Sequence, residues 1–188
     1  TPTTAALEAK LTRMEQGVGT VCFATGMGAI SALFFTLLRA GDHIVASKFV
    51  FGNTNSLFGT LGDFGVEVSK VDATAVANVA AALRPTTRMV FVETVANPGT
   101  QIPDLEAIGA LCRERGILFV VDNTILSPVL FRPRDVGAGI VVHSLTKFLG
   151  GHGNSIGGLI VDGGNFNWTR KGQYPMLSEP RPEYSGIV

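Results

Sequence analysis

Short apolar runs recur along this chain with amphipathic segments between them, and that alternation restricts the fold more than any other feature. VGTVCFA (18–24), HIVAS (43–47), VEVSKV (66–71), RMVFVE (88–93), ILFVVD (117–122), GIVVHS (139–144) and SIGGLIV (155–161) read as strands. Several are apolar almost throughout, which is the pattern of strands covered on both faces. Residues 4–16, 29–39, 53–64, 74–83 and 104–115 read as helices, the last with Pro103 and Asp104 as its start and Gly116 as its stop. Strands and helices alternating through short connections imply crossover units. The expected fold is therefore α/β, a mostly parallel sheet flanked by helices on both sides. Ligands of such sheets collect at the carboxyl ends of the strands, so the residues that follow each strand carry the chemistry.

Composition narrows the partners. With 46% hydrophobic and 16% charged residues, the 188 residues can bury one sizeable core. Fifteen basic and fifteen acidic side chains cancel, so no bulk attraction to nucleic acid or to an anionic membrane is expected. The longest apolar run, AISALFFTLL at 29–38, is too short to span a bilayer. Cys22 and Cys112 stand in apolar surroundings without metal-ligand spacing, and are expected to be free thiols of a reducing, cytoplasmic compartment with no metal site. From about residue 163 the chain loses periodicity and gains proline. This divides it into a domain of residues 1–162 and an extended or partner-contacting segment of residues 163–188. Beginning at Thr1 and stopping after Val188, the chain is expected to be a fragment or a processed product.

At the first strand end stands ATGMGAISALFF, where Gly26 and Gly28 open a helix whose amides and dipole suit a phosphate. A dinucleotide fingerprint is a poor match, because Ser31 replaces the third glycine and Lys48 follows the next strand where a ribose-binding acid belongs. A tight turn with close packing accounts for these glycines equally well when they are taken alone. The second strand leads to Phe49 and Phe51, either core aromatics or rings on which a ligand could stack. RMVFVE ends in Glu93 and is followed by Asn97–Pro98, a common turn pair. ILFVVD ends in Asp122, ahead of Asn123 and Thr124. A carboxylate at the end of so apolar a strand is costly unless a cation or several donors meet it.

GIVVHS runs into Leu145, Thr146 and Lys147. A lone lysine in a loop is usually an ordinary surface residue, but a partly desolvated one has a depressed pKa and becomes a nucleophile. Lys147 shares its strand end with Ser144 and Thr146, two hydroxyls suited to a phosphate. Together the strand ends offer a phosphate cradle, a stacking ring, an amide, a carboxylate and an amine. Pyridoxal 5'-phosphate (PLP) uses all five: its aldehyde links to a lysine, and its ring nitrogen pairs with a carboxylate.

The segments TGMGAI, VFGNTNSLF, ETVANPG, VVDNT and HSLTKFLGGHGN resemble the Cys/Met-metabolism family of PLP-dependent enzymes, with spacing intact over residues 3–161. The resemblance implies the large domain of a fold-type I PLP-dependent transferase. It also implies a set of site residues. Lys147 would hold the cofactor covalently and shuttle protons, Asp122 would pair with the ring nitrogen, and Asn97 would bond the phenolic oxygen. Gly26 and Met27 amides with the Ser144 and Thr146 hydroxyls would hold the phosphate. Phe51 takes the stacking position, where the family usually has tyrosine, so a phenol that could transfer protons is lost. Glu93 and Thr124 would support these groups.

The tail is similar to a segment of the O-acetylhomoserine sulfhydrylases in its Tyr174–Pro175, Glu179–Pro180 and Tyr184-x-Gly186 pattern. Arg181 and Ser185 depart from the Asp and His that the subfamily would carry. The implied reaction replaces the acetyl ester of O-acetyl-L-homoserine by sulfide in methionine biosynthesis. Its partners are the small amino-acid ester and sulfide, and its assembly a homotetramer built as a dimer of dimers. Alternatives left open are a cystathionine or methionine γ-lyase, a cystathionine γ-synthase, and a catalytically silent fragment of the fold. The family's N-terminal arm, which reaches a neighbouring subunit's phosphate, and its C-terminal domain, with an arginine for the substrate carboxylate, are expected to be absent from these residues.

Overall fold

The structure, a computed structural model, describes residues 1–182, 185 and 186. Its strands are β1 (Gly19–Phe23), β2 (His43–Ser47), β3 (Glu67–Val71), β4 (Thr87–Glu93), β5 (Leu118–Asp122), β6 (Ile140–Ser144) and β7 (Gly158–Asp162). They form one sheet in the order β1-β7-β6-β5-β4-β2-β3. The strands from β6 to β3 pair in parallel, while β7 pairs antiparallel with both β6 and β1. The sheet is thus mostly parallel, as the patterning implied, with β7 alone running against its neighbours. The reason is local: no helix stands between β6 and β7, so the chain has no crossover to bring β7 round in the same direction.

Helices α1 (Pro2–Glu15), α2 (Gly26–Leu37), α3 (Gly52–Asp63), α4 (Val76–Ala82) and α5 (Leu105–Arg115) supply the flanking layers. Two one-turn helices, α6 (Ser127–Leu130) and α7 (Pro175–Ser178), complete the set. Period-two burial sorts the strands onto two faces. Ile44, Ala46, Met89, Phe91, Leu118, Val120 and Val142 pack under α2 and α3. Val45, Val90, Val92, Phe119, Val121 and Val141 pack with Ile108 and Cys112 of α5, Val79 of α4 and Leu11 of α1. In α2, Ala29, Ile30, Leu33, Phe34 and Leu37 are buried, the stripe expected of a helix lying on a sheet. Burying one such large side chain stabilises the fold by roughly 1.5–3 kcal/mol.

The cysteines differ. Cys112 is buried within α5, and burial pushes its thiol up to about 12, whereas Cys22 on β1 is only half-buried. The segment after β7 packs closely against the sheet. Phe166, Trp168 and Tyr174 meet edge to face with centroids 5.0, 5.8 and 5.4 Å apart. Tyr174 is fully buried and donates its hydroxyl to the Arg88 carbonyl at 2.7 Å. Of the tail pattern, Tyr184 lies outside the described residues. No helix among the described residues is long and apolar enough to cross a membrane, and none of these residues form a cluster of three or more His, Cys, Asp or Glu fit for a metal.

Candidate active site

The directions of the strands decide where chemistry can occur. The carboxyl ends of β1, β2, β4, β5 and β6 open on one edge of the sheet, and β7 begins there. A cleft on that edge encloses about 600 Å³ of space, part of it open solvent. Gly26, Met27, Phe51, Glu93, Asn97, Asp122, Thr124, Ser144 and Lys147 all line it.

The N-terminus of α2 forms one end of the cleft. Thr25 caps the helix by accepting the Gly28 amide at 2.8 Å, and its carbonyl accepts the Ala29 amide at 3.0 Å. The Gly26 and Met27 amides are left without partners among the described residues, at the positive end of the helix dipole. Ser144, the last residue of β6, stands directly opposite: a Cβ on Gly26 would come within 2.8 Å of the Ser144 Cβ. A Cβ on Gly158 would collide with the Thr25 carbonyl from the other side. Only glycines allow β6, β7 and the helix start to approach so closely, and the result is a compact cradle for an anion.

Asp122 occupies the middle. Its Oδ1 accepts the Thr124 hydroxyl at 2.5 Å and the Thr124 amide at 3.0 Å, and Thr124 Oγ1 in turn accepts the Ser144 amide at 2.8 Å. Thr124 therefore links the carboxylate to the cradle. Burial pushes the Asp122 carboxyl above the usual carboxylate range, opposed by both Thr124 hydrogen bonds and by His143. Beside it in register is Glu93, only 7% exposed, which accepts the Phe51 amide at 2.6 Å. Burial raises Glu93 to about 7; the Phe51 amide opposes this, and the Asp122 charge adds to it. That bond aims the start of α3, so the Phe51 ring lines the cleft. Phe49 lies elsewhere, with the Lys48 ammonium 4.7 Å from its ring centroid.

Lys147 follows β6 in a turn closed by its amide on the Ser144 carbonyl at 3.3 Å. Its side chain lines the cleft but is exposed rather than desolvated, and Nζ has no hydrogen bond or ion pair among the described residues. The sequence puts Thr146 beside Ser144 on a phosphate. In the structure Thr146 Oγ1 accepts the Gly157 amide at 3.2 Å and approaches its carbonyl at 3.3 Å, outside the cleft lining. Thr54, Val95, Ile30 and Ile125 also line the cleft and were not anticipated, because nothing in their local pattern separates them from core or loop residues.

Comparison with known proteins follows the same lines. Residues 1–178 match the family described as Cys/Met metabolism PLP-dependent enzyme. O-acetyl-L-homoserine sulfhydrylase of Leptospira meyeri is 42% identical over 187 residues, which is 99% of this chain and 42% of that protein. L-methionine gamma-lyase of Pseudomonas deceptionensis is 43% identical over 162 residues, 85% of this chain and 41% of the lyase. A solved structure from Campylobacter jejuni, described as an O-acetylhomoserine (thiol)-lyase with N'-pyridoxyl-lysine-5'-monophosphate, superposes with a TM-score of 0.94 at 29% identity. That match covers 100% of this chain and 47% of the other. The chain spans less than half the length of these relatives. The cleft fits the family's cofactor in its donor set: amides and a hydroxyl in a glycine-lined cradle, a carboxylate held by Thr124, and an amine, the amides and the amine having no partner among the described residues.

Proposed function

The chain belongs to the Cys/Met-metabolism PLP-dependent enzymes, and we propose that it is the cofactor-holding part of one that makes L-homocysteine and acetate from O-acetyl-L-homoserine and sulfide. The observation carrying this reading is the extent of the likeness. The sulfhydrylase match runs over 99% of the chain, and so takes in the tail that Tyr174 anchors to the sheet; the lyase match covers 85%. In this reading residues 1–162 are the cofactor-binding unit and residues 163–188 a segment appended to it.

When bound, PLP supplies an electron sink for the pair left on carbon when a proton leaves beside the substrate amine. The chain's own residues do the rest. Lys147 would be the covalent anchor and, once released, the base that moves protons between neighbouring carbons. Asp122, oriented by Thr124, would keep a proton on the ring nitrogen. The Gly26 and Met27 amides and the Ser144 hydroxyl would hold the phosphate, with Thr146 joining if it gives up its contact to Gly157. Asn97 would bond the phenolic oxygen, Phe51 would cover one ring face, and Glu93 would hold Phe51 there. Phe51 carries no hydroxyl, so Lys147 would handle the proton traffic without a phenol beside it. A cytoplasmic homotetramer built as a dimer of dimers, serving methionine biosynthesis with small-molecule partners only, completes the reading.

A methionine γ-lyase is the second reading, favoured by the 43% identity to that enzyme over residues shared by both matches. Assay of both reactions separates them. Homocysteine from O-acetyl-L-homoserine and sulfide, exceeding keto acid and ammonia from methionine or cystathionine, is the expected result. Keto acid without homocysteine reverses the order. Absence of a visible band with PLP, together with no borohydride-trapped Lys147, removes both.

A further inference from the structure

Glu15 is the last residue of α1 and is 1% exposed. Both circumstances are unfavourable, since a buried carboxylate loses its hydration and the carboxyl end of a helix is the negative end of its dipole. Opposite it stands His143 of β6, 0% exposed, with Nε2 2.5 Å from Glu15 Oε1. Glu15 Oε2 and His143 Nδ1 have no partners among the described residues. His143 pairs with Leu159 across the sheet, and Leu11 of α1 packs in the same apolar cluster as Leu159, Val141 and Val161, so an apolar pair at these positions would carry none of these penalties. What an apolar pair lacks is direction: a hydrogen bond fixes distance and angle where packing alone leaves both loose.

The bond joins two elements that matter to the cleft. His143 lies between Val142, paired in register with Asp122, and Ser144, which faces the Gly26 cradle; Lys147 follows in the next turn. At the other end, Glu15 runs through Gln16 (φ 55°) into Val18, whose amide donates to the Asp162 carbonyl of β7 at 2.9 Å. The carboxylate is therefore held by a part of the fold that is itself fixed to the sheet. We propose that Glu15 and His143 are positioning residues, whose hydrogen bond fixes the end of β6 so that Ser144 and Lys147 stand in register with Asp122. Its consequence for cofactor binding rests on the reading above; its geometry does not. His143 also opposes the rise that burial imposes on the Asp122 carboxyl, after the Thr124 hydrogen bonds.

The test compares the full chain with Glu15→Met/His143→Leu, which fills the space without a directed bond, and Glu15→Gln, which keeps a bonding partner. Thermal midpoints establish folding. Backbone hydrogen exchange over residues 144–151, without cofactor, reads the positioning directly. The double variant is expected to exchange about tenfold faster there at an unchanged midpoint, and to bind PLP about tenfold more weakly, the scale of one hydrogen bond to a charged group. Glu15→Gln is expected to stay near the parent in both. Should the double variant not fold, Glu15→Asp, which withdraws the carboxylate from the ring, carries the same comparison. Parent-like exchange and affinity in the double variant overturn the proposal. If the parent takes up no PLP while exchange still responds, the cofactor reading falls and the positioning pair stands.

Discussion

The Thr124 hydroxyl donates to Asp122 at 2.5 Å while accepting the amide of Ser144 at 2.8 Å. One small side chain thereby sets both the carboxylate meant for the ring nitrogen and the strand end meant for the phosphate. Thr124→Val keeps the shape but removes the hydroxyl, leaving Asp122 with the backbone amide alone and the Ser144 amide without its acceptor. PLP affinity is expected to fall by about tenfold to a hundredfold, at a stability cost of about 1–3 kcal/mol. Thr124→Ser should restore most of both, as read by absorbance titration and urea unfolding.

Glu93 sets a pH dependence. Its carboxyl rises from an ordinary 4.5 to about 7 in the folded chain. A group raised on folding contributes stability below its unfolded value and loses that contribution as pH climbs through the folded one. This part of the stability is therefore full below 4.5 and gone above about 7, a span of roughly 3 kcal/mol. Glu93→Gln cannot titrate, and urea unfolding between pH 4.5 and 8 should show a flatter profile for it than for the parent.

His43 works in the opposite direction. It is buried on β2, with Nδ1 2.8 Å from Thr87 Oγ1 and Nε2 2.9 Å from Ser69 Oγ. Burial, then Arg84, lowers its pKa from 6.5. The unfolded chain thus takes up a proton first as pH falls, and stability is lost from 6.5 downward toward the folded value. His43→Gln is expected to be less stable than the parent at neutral pH yet to lose less between pH 7.5 and 5, measured by thermal unfolding.

Two glycines at helix starts should respond in opposite ways. Gly26→Ala puts a methyl 2.8 Å from the Ser144 Cβ and 3.1 Å from its Cα, so α2 must shift away from β6. A stability loss of about 1–3 kcal/mol and a collapse of PLP affinity are expected. Gly52→Ala, at the start of α3, meets nothing within 4 Å. It should be neutral or stabilising by up to about 1 kcal/mol, with cofactor affinity unchanged.

The layered α/β plan was legible because burial writes itself into residue spacing. HIVAS coincides with β2, and the helices start within a few residues of where their apolar periods begin. Asp122, Asn97 and Lys147 could be singled out because each stands at the end of an apolar run. The reversal of β7 could not be read, since strand direction depends on the connection rather than on the strand's own residues. Nor could the burial of Tyr174, whose proline-rich setting has no period to follow. The exposure of Lys147 depends on how the loop leaves the sheet, which its neighbours in sequence do not encode. Glu15 and His143, 128 residues apart, meet only through the tertiary fold.

The backward course of β7 bears on how this scaffold tolerates change. Because β6 and β7 are neighbours running in opposite directions, residues 145–157 leave the sheet and return to the same edge, and Thr146 clasps Gly157 near the base of that excursion. Residues added beyond the clasp would lengthen a closed appendage and transmit no displacement to Ser144 or to the start of β7. The amine therefore grows from the root of the excursion, one residue past a clasp that ties its two ends together.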